Sequence, residues 1–293
     1  MLVIKRKKDF PLEGIYEDST QLLNHLLEMR REKNYAFRGI SRCVEYQPTI
    51  QRFYLNKKLY NLNNYEYHML YEFYSQWNMN RFISSENILE LISNAQHFGI
   101  PTRLIDWTRD PFVALYFSIN ENAEPDEGFY RLIYADLNEQ TVLDKLYVTT
   151  TWGDLKRNPD ILYNYFRFLR TIGDTSNLKK QIEERTKDLT SKNVKPDSHY
   201  NPDGLIFYEA PFSNDRILAQ KGLFSVPTSL EGDDAEADIK KHTEEVLIKL
   251  TLNERTKLLE YLENMNYSRN YLFPDLQNLC RHIVYKTIKM VDD

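Results

Sequence analysis

Asp106 stands between Ile105 and Trp107 in the run 102-TRLIDWT-108. A carboxylate among apolar neighbours can orient a substrate hydroxyl or serve as a base. In the same run Arg103 offers a fork for an anion, Trp107 a face for a planar ring, and Thr108 a hydroxyl. Surface loops seldom mix Trp, Ile and Leu with so many ionisable groups, and core segments seldom carry them. A segment that does both usually lines a cleft. The plain alternative is a buried Arg103–Asp106 pair that holds the loop while Trp107 packs in the core, since neither partner of such a pair proves function. His97, in 96-QH-97, sits beside this segment, either as a site group or as a hydrogen-bonded core histidine. Arg38 and Gly39, in 37-FRG-39, place a guanidinium next to exposed backbone at a strand end, which suits phosphate or carboxylate; a structural ion pair is the alternative. The fourth group is 214-NDR-216 with Gln220, which can hold a ribose hydroxyl or a reacting amide, or else form a turn cap and a ladder residue.

Composition excludes several classes. The chain has 293 residues and a net charge of −5, so it has no overall basic footprint for nucleic acid. Lys5-Arg6-Lys7-Lys8 and 231-EGDDAEAD-238 are local charge runs, read as solvated surface. Two cysteines, Cys43 and Cys280, give no metal spacing and no disulfide framework. The 6 histidines show no HxxxH spacing, so no catalytic metal is expected. There is no Gly-rich phosphate loop, no GxSxG and no DxD pair. No apolar run reaches membrane-spanning length, and a cytoplasmic protein without membrane association is expected.

The elements that position these residues follow from capping and periodicity. Residues 1–17 read as an extended lead-in and possible edge strand. Asp18 or Ser19 caps a helix to about Glu32, and 35-YAFRG-39 is a short strand. Residues 40–52 should be irregular. Helical patterns follow over about 57–82 and from Ser84 or Ser85 to the residues before Gly99. Thr102–Thr108 should be a short strand or loop. Asp110-Pro111 is an N-cap and N1 pair for a helix that buries Val113, Ala114, Phe117 and Ile119. The free N–H groups of that helix could receive an anion. Strands are read at 129–137, 146–152, 205–209 and 246–252, and strand–Gly turn–strand at 216–227. Helices are read at 160–171 and 177–191, at 254–265 behind Asn253, and after Pro274. Loops are read at 193–204 and 231–238. The fold class is α+β, with a helical N-terminal half packed on a mostly antiparallel sheet.

Four pieces carry a family resemblance: 37-FRG-39, 95-AQHFGIPTRLIDWTRDPFVALYFS-118, 214-NDRILAQKGLF-224 and 272-LFPDL-276. In that order they resemble the FRG domain family. The resemblance implies a single FRG-type domain over 1–293, with a motif-bearing core at about 35–280 behind a lead-in and helix at 1–34.

A second resemblance is to ADP-ribosyltransferases of the Arg-Ser-Glu type. Their aromatic-Arg-Gly strand is similar to 37-FRG-39. Their Ser-Thr-Ser strand and xDPxxAxxF helix align without a gap on 106-DWTRDPFVALYF-117, with Asp110, Pro111, Ala114 and Phe117 matching. This resemblance implies an ADP-ribosyltransferase-like core and NAD as substrate. Arg38 would grip phosphate, with Gly39, Arg103 and His97 beside it, and Thr108 and Trp107 would support the nicotinamide ribose. Asp106 and Gln220 would handle the ribose or the acceptor. Arg216 falls where that family has its catalytic glutamate, leaving Asp106, Glu209, Asp215 or Gln220 to substitute. The implied activity is ADP-ribosyl transfer to a protein or nucleic acid, or NAD cleavage. The implied setting is a toxin or phage-defence effector with an antitoxin or regulatory partner. The missing glutamate keeps a non-catalytic sensor or binding module open, and a nucleic-acid enzyme or binder is the third reading.

Overall fold

A computed structural model describes residues 2–4, 19–32, 34–40, 43–54, 62–78, 88–120, 123, 130–143, 205–209, 215–227, 230, 234–276, 278–280, 283, 284 and 287. Its elements in chain order are β1 (Leu2–Ile4), α1 (Ser19–Glu32), β2 (Tyr35–Ile40), a 3-10 turn at Cys43–Tyr46, α2 (Thr49–Tyr54), α3 (Leu62–Asn78), α4 (Ile88–His97), β3 (Ile105–Thr108), α5 (Pro111–Ile119), β4 (Tyr130–Asp136), a 3-10 turn at Leu137–Glu139, β5 (Thr141–Leu143), β6 (Ile206–Tyr208), α6 (Asp215–Gln220), β7 (Gly222–Ser225), α7 (Asp234–His242), β8 (Glu244–Ile248), α8 (Leu252–Asn264) and α9 (Arg269–Leu272). The class is α+β. The expected strand at 146–152, helices at 160–171 and 177–191 and loop at 193–204 lie outside the described residues, as do the caps at Asp18, Ser84 and Ser85.

The strands form one sheet of order β1-β8-β4-β2-β3-β7-β6-β5. Every pairing is antiparallel except β5 with β6. Alternation assigns the two faces. Tyr35 and Phe37 of β2 and Tyr130 and Leu132 of β4 face a core under α1, α5 and α8. Their neighbours Ala36, Ile40, Ile133 and Ala135 face the opposite core, together with Ile105, Trp107, Phe207 and Leu223. A third cluster joins α3 and α4 to Tyr208, Phe224 and Val226. Helices therefore cover the sheet from the N-terminal half as expected, but α6 to α9 add to that cover from the C-terminal half.

Several boundaries follow chain chemistry. Helix α4 ends in a Schellman motif: Ile100 N–H donates to Ala95 O at 3.0 Å and Gly99 N–H to Gln96 O at 3.0 Å, with Gly99 at φ +95°. Asp110 caps α5 as its spacing predicts, accepting from Phe112 N–H at 3.1 Å, and Pro111 fills N1. Helix α5 is buried on nearly every side.

Four expectations are corrected. Residues 40–52 are not irregular, because a 3-10 turn and α2 occupy 43–54. Residues 216–220 are helical rather than a strand, and only Gly222–Ser225 joins the sheet. The acidic run enters α7 at Asp234, and Lys240, Lys241 and His242 in the last turn suit the helix dipole. Thr251, not Asn253, caps α8, in a capping box with Glu254.

At Gly39 strand β2 lies close against the backbone of α5. A Cβ there would fall onto the Ala114 carbonyl oxygen and lie 2.6 Å from Ser118 N. Both obstacles are helix backbone, so no rotamer change relieves them. Gly39→Ala should cost about 3 kcal/mol or more, at or above the upper end for overpacking. Urea denaturation of purified variant and parent checks this; an unchanged midpoint would show that α5 can shift freely.

Candidate functional site

Strand β3 and helices α4 and α6 enclose a cleft of about 180 Å³. Gln96 and His97 come from the end of α4, Asp106 and Trp107 from β3, and Arg216 and Gln220 from α6. Asp106 and Gln220 thus line one cleft. Asp106 is exposed, and its carboxylate accepts a hydrogen bond from Gln96 Nε2 at 2.9 Å. Gln96 is itself oriented, because the buried Thr102 hydroxyl donates to Gln96 Oε1. With its oxygen engaged, the amide must present N–H to Asp106. Gln220 Nε2 donates to Leu272 O at 2.9 Å, so its side-chain oxygen remains to accept.

Arg38 does not line the cleft; it braces it from behind. Strands β2 and β3 pair at Phe37 and Thr108 alone, then separate. The guanidinium of Arg38 bridges the gap, donating from Nη1 to Asp106 O at 2.5 Å and from Nη2 to Glu45 O at 3.0 Å. Its Nε is buried without an acceptor among the described residues. Desolvation by burial lowers the Arg38 pKa, and the Asp106 charge opposes that shift.

Arg103 leaves the cleft entirely. It has no exposed surface, its Nη2 lies 2.5 Å from Glu66 Oε2, and it also donates to Asn63 Oδ1 at 2.8 Å. Both the expected free anion fork and the alternative Arg103–Asp106 pair are therefore replaced by a pair with α3. Burial lowers its pKa, offset by Glu66. Trp107 is 3% exposed, its indole N–H donates to Ser225 Oγ at 2.9 Å, and its ring meets Phe207 edge-on. Its ring packs in the core, so stacking on a ligand would require that packing to open. Thr108 is also buried: its hydroxyl donates to Gln220 O at 2.7 Å and accepts from Asp110 N–H at 3.0 Å. It ties β3 to the end of α6. Gly39 serves helix packing, as described above.

The N-terminus of α5 is likewise taken. The fully buried Asp110 caps it, and Asp110 Oδ2 receives Lys221 Nζ at 2.7 Å, the Tyr267 hydroxyl at 3.1 Å and Arg30 at 3.4 Å. A side-chain carboxylate already sits where a ligand anion was expected. Arg109 turns outward to Asn34 and Glu209.

His97 lies at the cleft rim against Phe98. Burial lowers its pKa, and the Arg216 charge lowers it further, against a smaller pull from Asp275. The imidazole is thus neutral at pH 7 and can donate or accept. Among the described residues no cluster of three or more His, Cys, Asp or Glu could hold a metal, and no helix is long and apolar enough to cross a membrane.

Residues 33–127 match the family model described as FRG domain. The chain carries an FRG domain. The matched segment holds Arg38, Gly39, Gln96, His97, Arg103, Asp106, Trp107 and Thr108. Arg216 and Gln220 lie beyond it, so the FRG domain supplies one wall of the cleft and later chain supplies the other. No curated protein and no solved structure matches the chain. Sequence reasoning missed Glu66 and Thr102, which hold the wall in place. Glu66 has only its position within a helical pattern to mark it, and that gives no sign of a partner 37 residues away.

Proposed function

We propose that the FRG-domain cleft binds NAD or a related nucleotide and that the protein transfers ADP-ribose to a protein or nucleic acid, or cleaves NAD. The supporting observation is the convergence of an exposed, amide-oriented Asp106 carboxylate with Gln220 in one small cleft. A carboxylate held in this way can accept a ribose hydroxyl and stabilise positive charge developing at the anomeric carbon. Gln220 adds a second acceptor. Arg38 supports the geometry by holding the Asp106 backbone instead of gripping phosphate. On this reading the mostly antiparallel sheet, with α5 entering after Asp110-Pro111, would be an ADP-ribosyltransferase-like core. A toxin or phage-defence role, a cytoplasmic site of action and an antitoxin or regulatory partner follow from the same reading.

Labelled NAD incubated with the protein and cell lysate tests this. Transfer of label, loss of NAD or a rise in melting temperature supports the reading. If none occurs, it fails. In an active protein Asp106→Asn should lower turnover by about 10²–10⁴-fold, the usual contribution of a positioned acid or base. Stability should stay within about 0.5 kcal/mol, because the residue is exposed and the Asn oxygen can still accept from Gln96. A loss of folding would instead make Asp106 a structural residue.

A specific observation favours a second reading. Asp106 is the one carboxylate among the described residues lining the cleft, and Arg216 occupies the other wall. A binding or sensor module needs no second carboxylate. It would show NAD-dependent stabilisation that Asp106→Asn abolishes, with no turnover in the parent protein.

A further inference from the structure

The cleft holds one carboxylate and one guanidinium that do not neutralise each other. Asp106 is engaged by Gln96, while Arg216 lies over the Phe273 ring at 4.6 Å. Among the described residues no carboxylate forms an ion pair with Arg216. Arg103 is committed to Glu66, Arg109 to Glu209 and Lys221 to Asp110, while Arg269, over the same Phe273 ring at 5.7 Å, donates to Asn278 and does not line the cleft. Arg38 spends two of its nitrogens on the Asp106 and Glu45 carbonyls. Contact with the Phe273 ring limits where the Arg216 guanidinium can go, and its partly exposed side chain lines the cleft, so it is placed to receive an anion.

We infer that Arg216 is the anion-binding group of this cleft, and that the ligand it takes is a small phosphate monoester bearing hydroxyl groups. Phosphate sits on Arg216, and hydroxyls donate to Asp106 and to the free oxygen of Gln220. The ribosyl phosphate portion of a nucleotide has this chemistry, and naming it rests on the nucleotide reading above. The size agrees: 180 Å³ is below the roughly 300–1,000 Å³ of pockets that enclose drug-sized ligands. One sugar phosphate is of that scale, and the remainder of a dinucleotide would lie outside. With His97 held neutral, partly by the Arg216 charge, Arg216 is the sole formal cation among the described lining residues. The position that departs from the transferase pattern thereby gains a function of its own.

Calorimetric titration of the full chain with ribose 5-phosphate, ribose and NAD tests this. The parent should bind ribose 5-phosphate at least about tenfold more tightly than ribose, with an affinity that falls as salt rises. Arg216→Gln should erase that difference, and Arg216→Lys should keep part of it, because an ammonium retains charge without the fork. Asp106→Asn should weaken both ligands and leave their ratio unchanged. Thermal melts establish that each variant is folded, and Arg216→Lys serves if Arg216→Gln is not. Unchanged binding of ribose 5-phosphate by folded Arg216→Gln overturns the inference. Arg216-dependent binding of ribose 5-phosphate without binding or consumption of NAD upholds it while the nucleotide reading fails. NAD binding that ignores both Arg216 substitutions does the reverse. If no probe binds the parent, both are overturned.

Discussion

Glu66→Ala should destabilise the protein by about 3–5 kcal/mol, the range for removing one partner of a buried ion pair. Typical stabilities are roughly 5–15 kcal/mol, so this variant should be partly unfolded at 37 °C. The reason is what remains. Arg103 has no exposed surface, and Glu66 meets both its backbone N–H at 2.8 Å and its Nε at 2.6 Å. Without Glu66 the buried guanidinium loses the carboxylate that compensates its charge. The design that separates charge from packing is the double variant Glu66→Gln with Arg103→Met. It removes both charges, keeps an acceptor for the Arg103-position N–H and keeps apolar volume. Replacing a buried pair in this way is often neutral or stabilising, so the double variant should recover most of the loss. Urea denaturation of all variants reads both effects. A double variant as unstable as Glu66→Ala would mean that the charges themselves are needed, and the desolvation account would fall. The functional corollary is local. Arg103 lies two residues before β3, so a loosened pair should also weaken ligand binding at Asp106 in proportion to unfolding.

The parts of this arrangement that the sequence displays are the ones encoded by neighbours. Gly99 marks the end of α4 because only a short list of residues accepts its backbone angles. Asp110-Pro111 marks the start of α5 because cap and N1 are adjacent in the chain. The alternation in 129–137 marks β4, although this strand is covered on both faces. What was hidden is encoded at long range. Helix α6 has six residues, RILAQK overlaps it with a pattern that alternates as readily as it winds, and its end is fixed by contacts to Thr108 and Arg109. Tertiary context overrode a weak local signal.

The candidate site divides along the same line. The sequence brought Asp106 and Gln220 forward as site residues, and the fold sets them in one cleft. It offered Arg38 and Arg103 as anion-binding cations and Arg216 only as the residue standing where a glutamate was expected, and burial and partners reverse that order. Residue type announces what a guanidinium can bind, while the fold decides whether anything is left of it to bind. Arg103 is consumed by α3, Arg38 by the gap beside β3, and Arg216 faces the cleft. The same applies to the α5 N-terminus, whose anion is Asp110 itself.

Asp110→Ala should cost about 3–5 kcal/mol by combining loss of a buried ion pair with loss of an N-cap. The carboxylate has no exposed surface and performs two tasks. Its Oδ1 caps α5 through Phe112 N–H, and its Oδ2 collects Lys221, Tyr267 and Arg30. Asp110→Asn separates them, because an amide oxygen can still cap while the negative charge is gone. It should lose less, about 1 kcal/mol less if the cap alone is retained. The partners give an independent readout. Tyr267 has its pKa raised by burial first and by the Asp110 charge second. Removing the charge should therefore lower the Tyr267 pKa, visible by ultraviolet titration against a Tyr267→Phe control. The sign for stability follows: a phenol whose folded pKa is raised destabilises the fold once pH passes the unfolded value near 10. The parent should accordingly lose stability above that pH, and Asp110→Asn should lose less of it over the same window. Lys221 adds a second consequence. It sits at φ +47° between α6 and β7, a conformation unfavourable for a side chain, while its ammonium binds Asp110 and its carbonyl accepts from Arg109 N–H at 3.0 Å. Losing the Asp110 charge removes one of the contacts that hold this turn, and Gln220 precedes it directly. Asp110→Asn should thus weaken ligand binding in the cleft beyond what its folded fraction explains, although Asp110 does not line it. Binding that tracks the folded fraction alone would show that the turn is held without Asp110.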